Sequence, residues 1–233
     1  MDIEFEARSP ESRDLDRVIK ILEKSFRGSE DVNLENLAQF ILGQRLGSVL
    51  TIKDGVDDEL NGEVFGVATI IRLKGTEISL MLNRFLSNIA ATDGRLKLVR
   101  LLSSLDSNVG LIISERVVKF PPRIAEAIYQ DLINDIKKAQ IKNLSFNFTH
   151  YVIISKVMVP SDPEMAQMMG SMGVTYINEE EEFFGPECDF MVDTKMSDEK
   201  SKSQEDLIEK KKIMVFSAEK LDKIVDIIRK NLR

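Results

Sequence analysis

The sequence predicts an α/β fold, a mixed and largely antiparallel sheet flanked by helices, and three observations lead there. Short apolar runs rich in β-branched residues, Ser48–Ile52, Val64–Leu73 and Val109–Ser114, have the length and composition of strands. Around them, apolar residues recur at i, i+3, i+4 and i+7 in stretches long enough for amphipathic helices. The two kinds of segment interleave along the chain, so the strands are expected to carry helices on their faces.

Each element has a local cause. Ile3–Ala7 alternates apolar and polar residues and reads as an opening strand. Leu15, Val18, Ile19, Leu22 and Phe26 then mark one helix face, and Leu34, Leu37, Ala38, Ile41 and Leu42 a second. Asp31 or Asn33 caps the second helix, with Gly43 and Gly47 at its end. Ser48–Ile52 and Val64–Leu73 read as a hairpin around the loop Lys53–Glu63, with Asp57–Glu59 at its solvated tip. Thr76–Ala90 and Thr92–Ser104 are two helices. The strand Val109–Ile113 runs into Ser114, Glu115 and Arg116, and Pro121-Pro122 starts a helix that continues to Ala139. Proline suits that position because N–H groups of a first turn lack helical partners anyway.

Further on, Leu144–Val159 is the longest strand-like run, with Phe146 and Phe148 on one face. Ser161–Gly173, bearing Met165, Met168, Met169 and Met172, reads as a short helix over the core or as a loop. The acidic run Glu179–Glu182 leads into Phe183 and Phe184. Cys188–Val192 reads as a strand, Ser197–Lys212 as a charged solvated loop, Ile213–Phe216 as the last strand and Ser217–Leu232 as the closing helix. Because that last strand and helix need neighbours to bury against, residues 1–233 are expected to form one domain, with a charged, flexible loop around 195–212.

Composition narrows the function. With 43% hydrophobic and 30% charged residues, the 233-residue chain has the balance of a soluble globular protein. No apolar run approaches the ~20 residues needed to cross a bilayer, so no membrane partner is expected. The acidic N-terminus lacks an apolar signal region, which argues against secretion, and the Asn143 and Asn147 sequons lie in a strand-like run. A single cysteine, Cys188, excludes an internal disulfide or a cysteine-based zinc site, and a lone His150, read as a hydrogen-bonded sheet residue, leaves little for a metal. The net charge of −7 disfavours direct nucleic-acid binding and suits a basic partner.

Three blocks carry a resemblance. The first is Gly47-Ser48-Val49 with Glu63-Val64-Phe65-Gly66. The second is VGLIISER, Val109–Arg116, with Pro121-Pro122, and the third is NEEEEFF, Asn178–Phe184. In this order and spacing the chain resembles the BCCIP family, whose fungal members are called BCP proteins. The resemblance implies a fold similar to acetyltransferases of the GNAT type without evident transferase activity. It also implies a nuclear adaptor that shuttles to the cytoplasm. Its implied partners are a basic client, namely a large-subunit ribosomal protein of the universal L-fourteen type, and cell-cycle or DNA-repair proteins. Where the family has a tryptophan and paired aspartates before the last strand, this chain has the lysine-rich Lys195–Lys212.

The candidate partner-binding residues are Glu115, Arg116, Glu179, Glu180, Glu181, Glu182, Phe183 and Phe184. Four like charges in a row seek water, and an acidic rim beside two aromatic rings suits a basic, partly apolar segment. The competing reading has the two phenylalanines anchor the loop in the core. Glu115 and Arg116, at the end of a central strand, could border a partner groove, form an ion pair with each other or cap the strand end. No catalytic residue, cofactor site or metal ligand is expected. Ser114 has no base near it in sequence. The turn Gln44–Val49, the nearest match to a pyrophosphate cradle, has Val49 where a small residue is needed and leads from a helix into a strand. The expected function is a nonenzymatic adaptor or chaperone that masks a basic client. The alternatives are an N-acetyltransferase with an irregular acetyl-CoA site and a cell-cycle or DNA-repair scaffold.

Overall fold

A computed structural model describes residues 5–26, 29–44, 46–52, 63–117, 123–142, 144–195 and 207–232. In chain order the elements are β1 (Phe5–Arg8), α1 (Leu15–Phe26), α2 (Leu34–Gly43), β2 (Ser48–Ile52), β3 (Val64–Arg72), α3 (Glu77–Ile89) and α4 (Thr92–Ser103). There follow β4 (Val109–Arg116), α5 (Arg123–Lys142), β5 (His150–Pro160), α6 (Pro163–Met169), β6 (Thr175–Tyr176), β7 (Phe190–Asp193), β8 (Leu207–Ser217) and α7 (Leu221–Asn231).

The strands form one sheet in the order β1-β2-β3-β4-β5-β8-β7, with β6 added to β5. Among the described residues only the β4–β5 pair is parallel, and every other pairing is antiparallel. The mixed, mostly antiparallel sheet flanked by helices is thus present. Period-2 alternation sorts the core onto two faces. Val109, Leu111 and Ile113 of β4, Val152 and Ile154 of β5, and Ile213 and Val215 of β8 pack with α1 to α4. Ile112, Tyr151, Ile153, Met214 and Phe216 face the other way, onto α5 and α7.

Local chemistry settles two alternatives. Asn33, and not Asp31, caps α2, its side chain accepting from the Asn36 N–H at 2.9 Å. The segment after β5 starts as a helix, capped by Asp162, which accepts from the Glu164 N–H at 2.9 Å.

Two boundaries differ from the sequence reading. Residues 207–212, expected in a loop, are strand: β8 pairs with β5 without interruption from Ser217 back to Leu207. Lys210, Lys211 and Lys212 carry no apolar alternation, so the backbone ladder of the long neighbour overrides a weak local preference. Residues 196–206 of that expected loop, like the hairpin loop 53–62 and Pro121-Pro122, lie outside the described residues. Leu144–Phe146 is a single 3-10 turn, and the strand expected from Leu144 starts only at His150.

The feature that positions the candidate site is a split in the sheet. β4 and β5 pair over four positions, Val109↔His150 to Ile112↔Ile153, and then part. Since β8 occupies the other edge of β5, β6 sits on the side facing β4, at Val157↔Tyr176 and Met158↔Thr175. The Ile177 N–H continues it, donating to the Lys156 carbonyl at 2.9 Å. The 3-10 segment Glu179–Glu187 that follows therefore fills the wedge.

Candidate functional site

The wedge is closed by charged side chains where backbone pairing stops. On the α1 face, Glu115 of β4 accepts from the Lys156 ammonium of β5 at 2.5 Å and from the Ser25 hydroxyl of α1. Glu115 and Lys156 are each 5% exposed. Lys24 donates to the Arg116 carbonyl at 3.1 Å and Lys211 to the Ser25 carbonyl at 2.7 Å, so neighbouring cations tie the same corner to backbone oxygens. Burial, and then repulsion from Lys156, holds the Lys24 ammonium below its ordinary value.

On the α5 face, Arg116 meets Glu180 fork to fork, Nη1 to Oε1 at 2.7 Å and Nη2 to Oε2 at 2.5 Å. Burial alone would lower the guanidinium, but the Glu180 charge and hydrogen bonds outweigh it and raise it. Beside this pair, Glu181 accepts from the Asn178 amide at 2.7 Å and from the Ser155 hydroxyl. Burial pushes Glu181 up to about 8, with repulsion from Glu180 adding and the bonds from Ser155 and Asn178 opposing. The surroundings of Glu181 therefore favour its protonated form, while the guanidinium fork of Arg116 is engaged by Glu180. The Tyr129 hydroxyl of α5 is buried against the cluster without a well-formed hydrogen bond. Its ring packs on Phe184 at 5.4 Å between centroids, and Phe184 packs on Phe216 at 5.5 Å.

These positions redefine the residues singled out from sequence. Glu115, Glu180, Glu181 and Phe184 are buried and the Arg116 side chain is 8% exposed, so Glu180, Glu181 and Phe184 do not belong to a solvent-facing rim, a correction that follows from their partners. Glu115 and Arg116 point to opposite faces of β4 and pair with Lys156 and Glu180, not with each other. Glu179 and Glu182 are exposed and Phe183 is half-buried. Sequence reasoning missed Lys156, Ser25, Asn178 and Tyr129. Lys156 did leave a signal: a single cation inside the apolar run Val152–Val159 has to find a carboxylate once that strand is buried.

Little space remains for a small substrate in the wedge. The cavity bordered by Ser25, Phe26, Glu115, Ile153 and Glu181 holds about 10 Å³, room for about one water. The turn Gln44–Val49 is spent on β3: Gln44 donates to the Thr69 hydroxyl at 2.5 Å, which donates to the Leu46 carbonyl at 2.6 Å. Gly47, at φ 110°, lies so close to β3 that a Cβ would stand 2.1 Å from the Ala68 carbonyl oxygen. Among the described residues, no group of three or more His, Cys, Asp or Glu side chains is placed to hold a metal ion.

Comparison with known proteins agrees with this architecture. The chain is 29% identical over 202 residues to Protein bcp1 of Schizosaccharomyces pombe, covering 80% of this chain and 70% of that protein. It is 28% identical over 201 residues to the Bos taurus protein named BRCA2 and CDKN1A-interacting protein, covering 79% of this chain and 65% of that one. The matched region thus spans about two-thirds of those relatives. The crystal structure of BCP1 from Saccharomyces cerevisiae shares the fold, with a TM-score of 0.72 at 19% identity over 98% of this chain and 88% of that one. The family model described as BCCIP matches residues 1–222, and the chain belongs to the BCCIP family.

Proposed function

We propose that this chain is a nonenzymatic adaptor and chaperone that masks a strongly basic client, a large-subunit ribosomal protein, on its way through the nucleus and into ribosome assembly. Family membership carries the reading, since mammalian relatives bear a name that describes protein interaction, BRCA2 and CDKN1A-interacting protein. The net charge of −7 supplies a field that draws in a cationic partner. A wedge filled by the chain's own ion pairs supports binding over turnover, because an enzyme needs that space for its substrate. The surface left by the acidic run is Glu179 and Glu182. With Glu164 and the exposed Met165 and Met168 of α6, it adds acidic groups and pliable apolar contact for such a client.

The test uses the purified chain and a large-subunit ribosomal protein of the universal L-fourteen type. The chain keeps that client soluble at physiological salt, and stopped-flow association slows about tenfold or more from low to physiological salt. Equal precipitation with and without the chain, or a salt-independent on-rate, overturns the proposal. The name of the bovine relative favours a second reading, a cell-cycle or DNA-repair scaffold. A scaffold alone leaves the basic client to aggregate, so the same assay separates the two.

A further inference from the structure

The helical hairpin α3–α4 reverses the charge of the molecule. From Lys74 to Leu105 the chain holds Lys74, Arg84, Arg95, Lys97 and Arg100 against Glu77 and Asp93, five cations minus two anions, or +3 in a chain of −7. Two contacts fix the arms of the hairpin. At one end the Ala91 N–H donates to the Asp193 carbonyl at 2.8 Å, and at the other Lys74 donates to the Leu105 carbonyl at 3.0 Å. Packing also fixes which side of α4 faces out. Leu98 is fully buried, and Gly94 lies so close to β7 that a Cβ would stand 2.6 Å from Val192. The opposite side presents Leu96, Val99 and Arg100 at i, i+3 and i+4, with Leu96 69% exposed. Leu80 of α3 is 68% exposed and Leu105, beyond α4, 88%.

Large apolar side chains set among cations that enter no ion pair among the described residues form an unusual surface for an acidic protein. We propose that the outer face of α3–α4 docks an acidic amphipathic peptide segment of a second protein partner, with Asp or Glu meeting Arg84, Arg95 and Arg100 and apolar residues at helical spacing meeting Leu80, Leu96 and Val99. Charge complementarity selects this occupant, and the exposed aliphatic residues favour a peptide over a nucleic acid. Bases stack on aromatic rings, and the neighbouring ring of Phe190 is covered by the Lys97 ammonium at 4.3 Å. The surface is of opposite sign to the one proposed for the basic client, so the two partners need not compete.

The experiment titrates the isotopically labelled chain with a fluorescent synthetic peptide carrying Glu and Leu at helical spacing. It reads anisotropy together with backbone amide shifts. Micromolar binding with shifts confined to α3 and α4 is expected. Arg95→Glu with Arg100→Glu weakens it about tenfold or more, Leu96→Ser weakens it severalfold, and the melting temperature stays unchanged. A peptide with Lys in place of Glu does not bind. Three results each overturn the proposal: no binding by the wild-type chain, shifts elsewhere, or equal binding by the charge-reversed variant. A single-stranded oligonucleotide bound to this face, with Leu96→Ser neutral, overturns it in favour of a nucleic-acid surface.

Discussion

Arg116 and Glu180 lie 64 residues apart in sequence and meet as a doubly hydrogen-bonded fork in which Glu180 is fully buried. Burying two charges is costly, and the geometry repays that cost only while both partners are present. Arg116→Ala should therefore destabilise the protein by about 3–5 kcal/mol, because it strands the carboxylate of Glu180. Arg116→Met with Glu180→Leu should recover most of that loss. Urea unfolding of Arg116→Met, Glu180→Leu and the double variant measures the coupling; additive losses would show that the two side chains act independently.

Glu181 gives the protein an inverted acid response. Its folded value of about 8 lies above the ordinary 4.5, so folding takes up a proton between those two limits. The contribution of Glu181 to stability is fully present below about 4.5 and is lost as the pH rises through about 8. Asp14 works in the opposite sense. Burial opposes its ionisation, but the Arg8 fork and the Glu11 N–H hold it below its ordinary value, so its contribution is lost as the pH falls. Urea midpoints near pH 5 and near pH 8 should show the wild-type chain losing more stability across this range than Glu181→Gln. Parallel losses in both proteins would place the carboxyl proton elsewhere.

Two glycines at the end of α2 should behave oppositely. Gly47→Ala combines a φ of 110° with a 2.1 Å approach to the Ala68 oxygen, and should cost at least ~2 kcal/mol or prevent folding. Gly43, the last residue of α2, has open space around it. Gly43→Ala should be neutral or stabilising by up to ~1 kcal/mol. Thermal melts of the pair decide it; a tolerated Gly47→Ala would mean that β2 and β3 are not held together as described.

Cys188 should be a slow thiol. Burial pushes it up to about 11, with the Val215 backbone only partly offsetting the effect. At neutral pH its thiolate fraction is about two orders of magnitude below that of a free cysteine, and disulfide-reagent labelling should slow accordingly. Labelling in urea should restore the ordinary rate. Equal rates in both states would show an open, reactive sulfur.

The sequence made most elements legible because their causes are local: the i, i+3, i+4 stripes of α1 and α7, the cap at Asn33, the β-branched runs of β3 and β4. It also made the family legible through Val109–Arg116 and Asn178–Phe184. What stayed hidden is what distant segments do to one another. Four consecutive glutamates belong in water by any local rule, and only Arg116, Ser155 and Asn178, brought in by β4, β5 and the wedge segment, make a buried place for two of them. The strand character of residues 207–212 was hidden for the same reason, since it comes from the β5 ladder and not from the side chains of those residues.

Among the described residues β8 is the last strand in chain order, yet it is an interior strand of the sheet, lying between β5 and β7. During synthesis from the N-terminus, β5 has an open edge and β7 has no strand neighbour until residues 207–217 emerge. Residues 207–217 must therefore be made before this half of the sheet can close. A nascent chain stalled short of Leu207 would present that open edge to every protein around it.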